Sequence, residues 1–235
     1  MITAGRNVEM MKAVLFDLDG TLLDRDQSLQ LFVNDQYERL NEVLSHISKE
    51  QYVSRFIQLD KRGYVWKDKV YQQLIDEFAI TSVTWEVLLQ DYLNEFKLHC
   101  VGFPHIHVML EELKKNGFAL GMITNGYGQF QMDNIHALQI ENYFDVILIS
   151  EWEGIKKPDP QIFINALQKL HVEPSESIFI GDHPENDVKA AQLIGMKAIW
   201  KKDAQWNDVQ ADAVIDDYLE LPLIIEKLKH VKYYT

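Results

Sequence analysis
A single cysteine, Cys100, stands in the 235-residue chain, which excludes an internal disulfide and a thiolate metal centre and fits a reducing compartment. Positive charge is scarce: 23 lysines and arginines face 36 aspartates and glutamates, for a net charge of −13. A surface this acidic repels nucleic acid and anionic membranes, so neither is expected as a partner. A small anion can be held only where a local cation or a metal offsets that field. No apolar run is long enough to span a bilayer. The opening MITAGRNVEM lacks the apolar stretch of a secretory signal and reads as a short arm ahead of a fold starting near Lys12, and the chain reads as cytoplasmic. There is no repeat, no low-complexity tract and no GxxxxGK[ST] phosphate loop. Gly126 and Gly128 are similar to the start of a dinucleotide-binding loop, but Gln131 stands where its third glycine belongs.

What is present is a hydrophobic share of 47%, enough for a full core, arranged in short apolar runs. The runs at 13–18 (AVLFDL), 119–124 (ALGMIT), 146–150 (VILIS) and 177–181 (SIFIG) read as buried parallel strands, with weaker ones at 198–200 and 213–215. Helical periodicity lies between them at 105–116, 129–138, 160–170 and 184–194, with Gly117 and Gly195 just past two of the helices, where C-terminal caps belong. Alternating strands and helices predict an α/β fold, a doubly wound parallel sheet. The rhythm breaks between Asp24 and Cys100. That stretch holds amphipathic helical patterns at 28–45, 49–58, 67–78 and 84–97 and no convincing strand. The expected organisation is a discontinuous α/β core domain (1–23 and 101–235) with an inserted all-helical domain (24–100).

Ligands in open parallel sheets bind beyond the carboxyl ends of the strands. There the first run ends in Asp17, Asp19, Gly20 and Thr21, and the second in Thr124 and Asn125. The third is followed by Lys157 in GIKKPDP, and the fourth by Asp182 and Asp187 in GDHPEND. A parallel sheet would gather these at one edge. Carboxylates packed this closely repel one another or take up protons unless a cation joins them. Mg²⁺, which prefers hard oxygen ligands, is the expected cofactor, and it would clamp a phosphate against a carboxylate that otherwise repels it. Lys157 adds positive charge, and Thr124 and nearby backbone N–H groups can donate to phosphoryl oxygens.

These residues resemble the four motifs of the haloacid dehalogenase-like hydrolase superfamily, in its variants with a helical cap after the first strand. DLDGTLLD (17–24) is similar to DxDGT, MITNG carries Thr124, GIKKPDPQIF places Lys157 directly before Pro158, and GDHPEND carries Asp182 and Asp187 in a GDxxxxD pattern. The resemblance runs from about Lys12 onward and reaches the cap only by position and helical character. It implies a nucleophile at Asp17 that forms an aspartyl-phosphate, and an acid and then base at Asp19. Thr124 and Lys157 would bind the phosphoryl group, with Asn125 beside them. Asp17, the backbone carbonyl of Asp19 and Asp182 would hold magnesium, with Asp187 supporting them from outside. Halide-removing members lack the second aspartate of the first motif, because their alkyl-enzyme ester has no alkoxide to protonate; Asp19 therefore points to phosphate chemistry.

Each residue also has a plainer reading. Asp17 and Asp19 could cap a strand end. Lys157, like Lys156, could be a solvated lysine. Asp187 suits the first turn of a helix through the dipole, and His183 suits a helix start ahead of Pro184. His105 and His107 share no helix face, which argues against a metal pair. The cap loop 60–69 breaks at Gly63 and carries Arg62, Trp66 and Lys67. It is expected to face the active site, with Arg62 and Lys67 touching the substrate, against the alternative of an ordinary interhelical turn with Trp66 packed in the cap. The expected activity is Mg²⁺-dependent hydrolysis of a small phosphorylated metabolite. The rivals are a phosphomutase of the same superfamily and a nucleotide-binding oxidoreductase built on the NGYG loop.

Overall fold
The computed structural model describes Met10–Lys229; residues 1–9, most of the arm read from the sequence, lie outside the described residues. The chain divides into two compact units. One combines the residues up to Leu23 with those from Gly102 onward, and the other is Asp24–Val101.

The smaller unit is helical: α1 (Arg25–Arg39), α2 (Asn41–Leu44), α3 (Lys49–Asp60), α4 (Lys67–Phe78) and α5 (Trp85–Glu95). Side-chain caps start two of these helices, Asp24 accepting from the Gln27 N–H at 3.0 Å and Ser48 from that of Gln51 at 3.3 Å. Apolar faces meet in an aromatic centre, where Phe32 packs on Tyr92 with ring centroids 5.2 Å apart and Phe56 on Tyr71 at 5.3 Å. The buried Gln36 satisfies two hydroxyls there, its Oε1 accepting from Tyr52 at 3.2 Å and Tyr71 at 3.0 Å.

The larger unit carries a six-stranded, all-parallel sheet: β1 (Ala13–Phe16), β2 (Ala119–Thr124), β3 (Val146–Ile149), β4 (Ser177–Gly181), β5 (Lys197–Lys201) and β6 (Ala213–Ile215), in the order β3-β2-β1-β4-β5-β6. The helices are α6 (Ile106–Lys115), α7 (Gly128–Ala137), α8 (Ser150–Glu153), α9 (Pro160–Leu170), α10 (Ala190–Leu193) and α11 (Leu221–Lys229). Leu15, Ile123 and Phe179 of the sheet pack with Phe163 and Ala166 of α9 and Ala191 of α10 in one buried cluster. Gly117 and Gly195 follow α6 and α10 in left-handed conformation, at φ +80° and +93°. The order reverses between β1 and β4, so the crevice at their carboxyl ends is the topological switch point where such sheets bind ligands. Among the described residues no helix is long and apolar enough to cross a membrane.

The helix expected over 28–45 is split at Leu40 into α1 and α2, and two differences from the periodicity shape the sheet edge. The first run keeps strand geometry only to Phe16. Beyond it the Leu18 carbonyl accepts from the N–H groups of Thr21 (3.2 Å), Leu22 (2.9 Å) and Leu23 (2.9 Å), closing a tight loop just past the strand end, where Asp17 and Asp19 stand. The helix expected over 184–194 opens as a π-helical turn, Pro184–Lys189, in which the Val188 N–H reaches the His183 carbonyl at 3.3 Å. The wider turn lets the Asp187 side chain fold back inside.

Candidate active site at the carboxyl edge of the sheet
β1 and β4 run in register, Phe16 beside Ile180, and the Asp17 N–H donates to the Ile180 carbonyl at 2.9 Å. Asp17 and Asp182 thereby leave neighbouring strands at about the same height. Asp17, Asp182 and Asp187 each bring a carboxylate oxygen within 4.8 Å of the others. Asp17 and Asp187 are buried and Asp182 is half-buried. Gly20, at φ +79°, makes room for them: a Cβ there would lie 2.5 Å from Asp182 Oδ2.

Lys157 answers this charge from the loop after α8. It is 3% exposed, and its Nζ donates to Asp17 Oδ1 at 2.7 Å and Asp187 Oδ1 at 2.6 Å, whereas Lys156 is exposed. Asn125 holds the loop: its Oδ1 accepts from the Lys157 N–H and its Nδ2 donates to the Lys157 carbonyl, both at 2.9 Å. Both ends of the Asn125 amide are thus engaged with backbone. Asp187 also accepts from the His183 N–H at 3.0 Å. His183 in turn caps the π turn, its Nδ1 accepting from the N–H groups of Glu185 at 3.1 Å and Asn186 at 3.2 Å.

The electrostatics follow from burial and proximity. Burial is the largest influence on Asp17 and pushes its carboxyl up to about 6; Lys157 pulls the other way and Asp187 adds to the rise. Asp182 is held well above the usual carboxylate range by burial, then by the charges of Asp17 and Asp187. Burial disfavours the Lys157 ammonium, but the carboxylates of Asp17 and Asp187 outweigh it and hold its pKa above the ordinary value. Three crowded carboxylates and one ammonium form a donor set short of positive charge. Such all-oxygen donors fit a hard divalent cation such as Mg²⁺.

Asp19 stands apart from the trio. Its Oδ2 accepts from Gln131 Nε2 at 2.6 Å, and the same nitrogen lies 2.7 Å from Thr124 Oγ1. Gln131 drew no functional reading from the sequence, where it figured only as a missing glycine. Its position on the first turn of α7, one helix after Thr124, was the available signal. In the helical unit Arg62 pairs with Asp26 at 3.0 Å. Lys67 is buried and ion-paired with Asp60, which also accepts from Arg25 Nη2 at 2.8 Å and the Gly63 N–H at 2.9 Å. Its ammonium is therefore engaged within its own unit.

A doubly wound sheet interrupted by helices after its first strand, with an acidic, cation-ready centre at the switch point, defines an α/β enzyme of the hydrolase kind. The model of the family "Haloacid dehalogenase-like hydrolase" matches residues 14–201, and the chain belongs to that family. It is 30% identical to a glyceraldehyde 3-phosphate phosphatase of Pyrococcus furiosus over 238 aligned positions, 93% of each chain. It is 29% identical to a phosphoglycolate phosphatase of Aquifex aeolicus, over 93% of this chain and 96% of that one. The fold matches that of a magnesium-bound haloacid dehalogenase-like hydrolase of Bacillus subtilis with a TM-score of 0.75, over 92% of this chain and 99% of that one; at 23% identity this is a likeness of fold.

Proposed function
We propose that the chain is a phosphatase that hydrolyses a small phosphate monoester through a covalent phosphoryl group on Asp17. The observation that carries this reading is the buried Asp17 carboxylate, bonded to Lys157 Nζ at 2.7 Å and clustered with two further acids at the crevice. An Asp17 oxygen attacks phosphorus as the ester P–O bond breaks, and Asp19 gives its proton to the leaving oxygen. Water then attacks the aspartyl-phosphate, Asp19 takes the proton of that water, and the Asp17 O–P bond breaks to regenerate the carboxylate. Lys157 and the Thr124 hydroxyl stabilise the phosphoryl oxygens, joined by the Asn125 N–H. Asp17, the Asp19 carbonyl and Asp182 would hold Mg²⁺, with Asp187 fixing Lys157 beside them. When bound, the ion supplies the positive charge that lets an anionic ester approach this acidic centre.

Relatives named for glyceraldehyde 3-phosphate and phosphoglycolate support a short phosphorylated metabolite as substrate. Loop 60–69 is the part of the helical unit to test for a role in choosing that substrate. Lys61 (φ +47°), Arg62 (φ +55°) and Gly63 (φ +90°) are successive left-handed residues, a conformation that costs non-glycine residues free energy and gathers at functional loops. Lys67 is buried on Asp60, whereas Arg62 pairs with the exposed Asp26 and is itself partly exposed, which makes Arg62 the cation to test there. Purified protein should release inorganic phosphate from a panel of such esters. Asp17→Asn, nearly isosteric, should lower turnover by at least about 10⁴-fold with its circular dichroism unchanged. A near-normal rate in that variant would rule out the covalent route.

A further inference from the structure
We infer that Gln131 is a positioning residue that sets both the acid–base carboxyl of Asp19 and the hydroxyl of Thr124 for phosphoryl transfer. The inference rests on the phosphatase reading above and adds a residue to it. Gln131 is 2% exposed, and its Nε2 meets three acceptors: Asp19 Oδ2 at 2.6 Å, Thr124 Oγ1 at 2.7 Å and the Asn125 carbonyl at 3.3 Å. Its Oε1 accepts from Nδ2 of the buried Asn134, one helical turn on, at 3.2 Å. That last bond decides which way the amide faces. Turned over, Oε1 would meet the Asp19 carboxylate and Nε2 would meet another N–H donor. Gly126 leaves the space, since a Cβ there would lie 2.8 Å from Gln131 Cγ.

Two consequences follow from donor and acceptor counting. Thr124 Oγ1 accepts from Gln131, so its own proton points elsewhere and is available to a phosphoryl oxygen. Asp19 Oδ2 accepts an N–H, so the proton exchanged with the leaving oxygen resides on Oδ1. One buried amide thus orders a proton donor for the phosphoryl group and a proton carrier for the leaving group. Gln131 itself need touch neither.

The leaving group separates this role from packing. Alkyl phosphates need a proton on the departing oxygen, whereas p-nitrophenolate leaves without one. The ratio kcat/KM reports only the steps up to aspartyl-phosphate formation. Gln131→Met keeps the volume and removes the donor. Measured against wild type, its kcat/KM should fall about 30-fold or more for the alkyl phosphate turned over fastest in the panel. For p-nitrophenyl phosphate, whose leaving group needs no proton, only the part that runs through Thr124 is lost, so the fall should be at least about tenfold smaller. Asn134→Leu, which releases the amide, should shift the same ratio in the same direction. If Gln131→Met does not melt cooperatively, Gln131→Leu, close in volume and without a donor, supplies the ratio. Parallel losses on both esters, or no loss on either, would overturn the assignment while leaving the phosphatase reading intact. A wild-type protein that releases phosphate from neither ester would take both down.

Discussion
At Asp17 burial and charge pull in opposite directions. Burial pushes the carboxyl up to about 6, and Lys157 at 2.7 Å works to keep it ionised. A carboxylate held in this way is poorly arranged for stability, because Asp187 and Asp182 crowd the same space. Gly20 shows how little room is left. Gly20→Ala would force an L-residue into left-handed backbone, at about 1–3 kcal/mol, and drive its methyl against the Asp182 carboxylate. The expected result is a lower melting temperature together with a higher Mg²⁺ concentration for half-maximal activity, read from activity against Mg²⁺. An unchanged Mg²⁺ requirement would show that Asp182 is not constrained by this contact.

On the level of elements, the helical unit has an ionic anchor at the end of α3. Asp60 is buried and takes Arg25, Lys67 and the Gly63 N–H together. Burial acts to raise its pKa, but the cations of Lys67 and Arg25 prevail and hold it below the ordinary 3.8. A depressed folded-state pKa contributes stability that is present above the ordinary value and is lost as pH falls through the folded one. Protection of α3 and α4 in peptide-resolved hydrogen exchange should therefore weaken below about pH 4. Asp60→Asn removes the carboxylate that the buried Lys67 and the half-buried Arg25 share and should cost about 3 kcal/mol at neutral pH. Full protection of α3 and α4 in that variant would refute the anchor. The π turn at Pro184–Lys189 works similarly in the other unit: its extra residue carries Asp187 to Lys157 Nζ at 2.6 Å.

For the molecule as a whole, a net charge of −13 with three acids gathered at one crevice makes cation binding a stability question as well as a catalytic one. An ion that binds only the folded chain stabilises it by mass action, about 2.7 kcal/mol at a hundredfold excess over Kd. For a protein of this size that corresponds to a rise of roughly 5–10 °C in melting temperature. Mg²⁺ titration after EDTA treatment should produce such a rise and restore activity. Asp182→Asn should melt higher than wild type without the ion, since one repelling charge is gone, and respond weakly to adding it. Equal Mg²⁺ shifts in the two proteins would place the ion elsewhere.

Much of this was legible in the linear chain. Apolar runs of four to six residues read as buried strands and helical periods as the layers that cover them, because the period of apolar residues is a local property. The parallel direction of the strands followed from the alternation, and a parallel sheet gathers the acids after β1 and β4 at one edge; the strand order did not follow. Which side chains meet there was decided by register and packing across long separations. Gln131 reaches Asp19 over 112 residues, and Lys157 reaches Asp17 over 140. Lys157 turns in while Lys156 stays in solvent, and Lys67 turns to Asp60. Composition and spacing assign each of these a residue type, but a hydrogen bond needs two atoms brought within about 3 Å, and only the assembled sheet and helices set that distance.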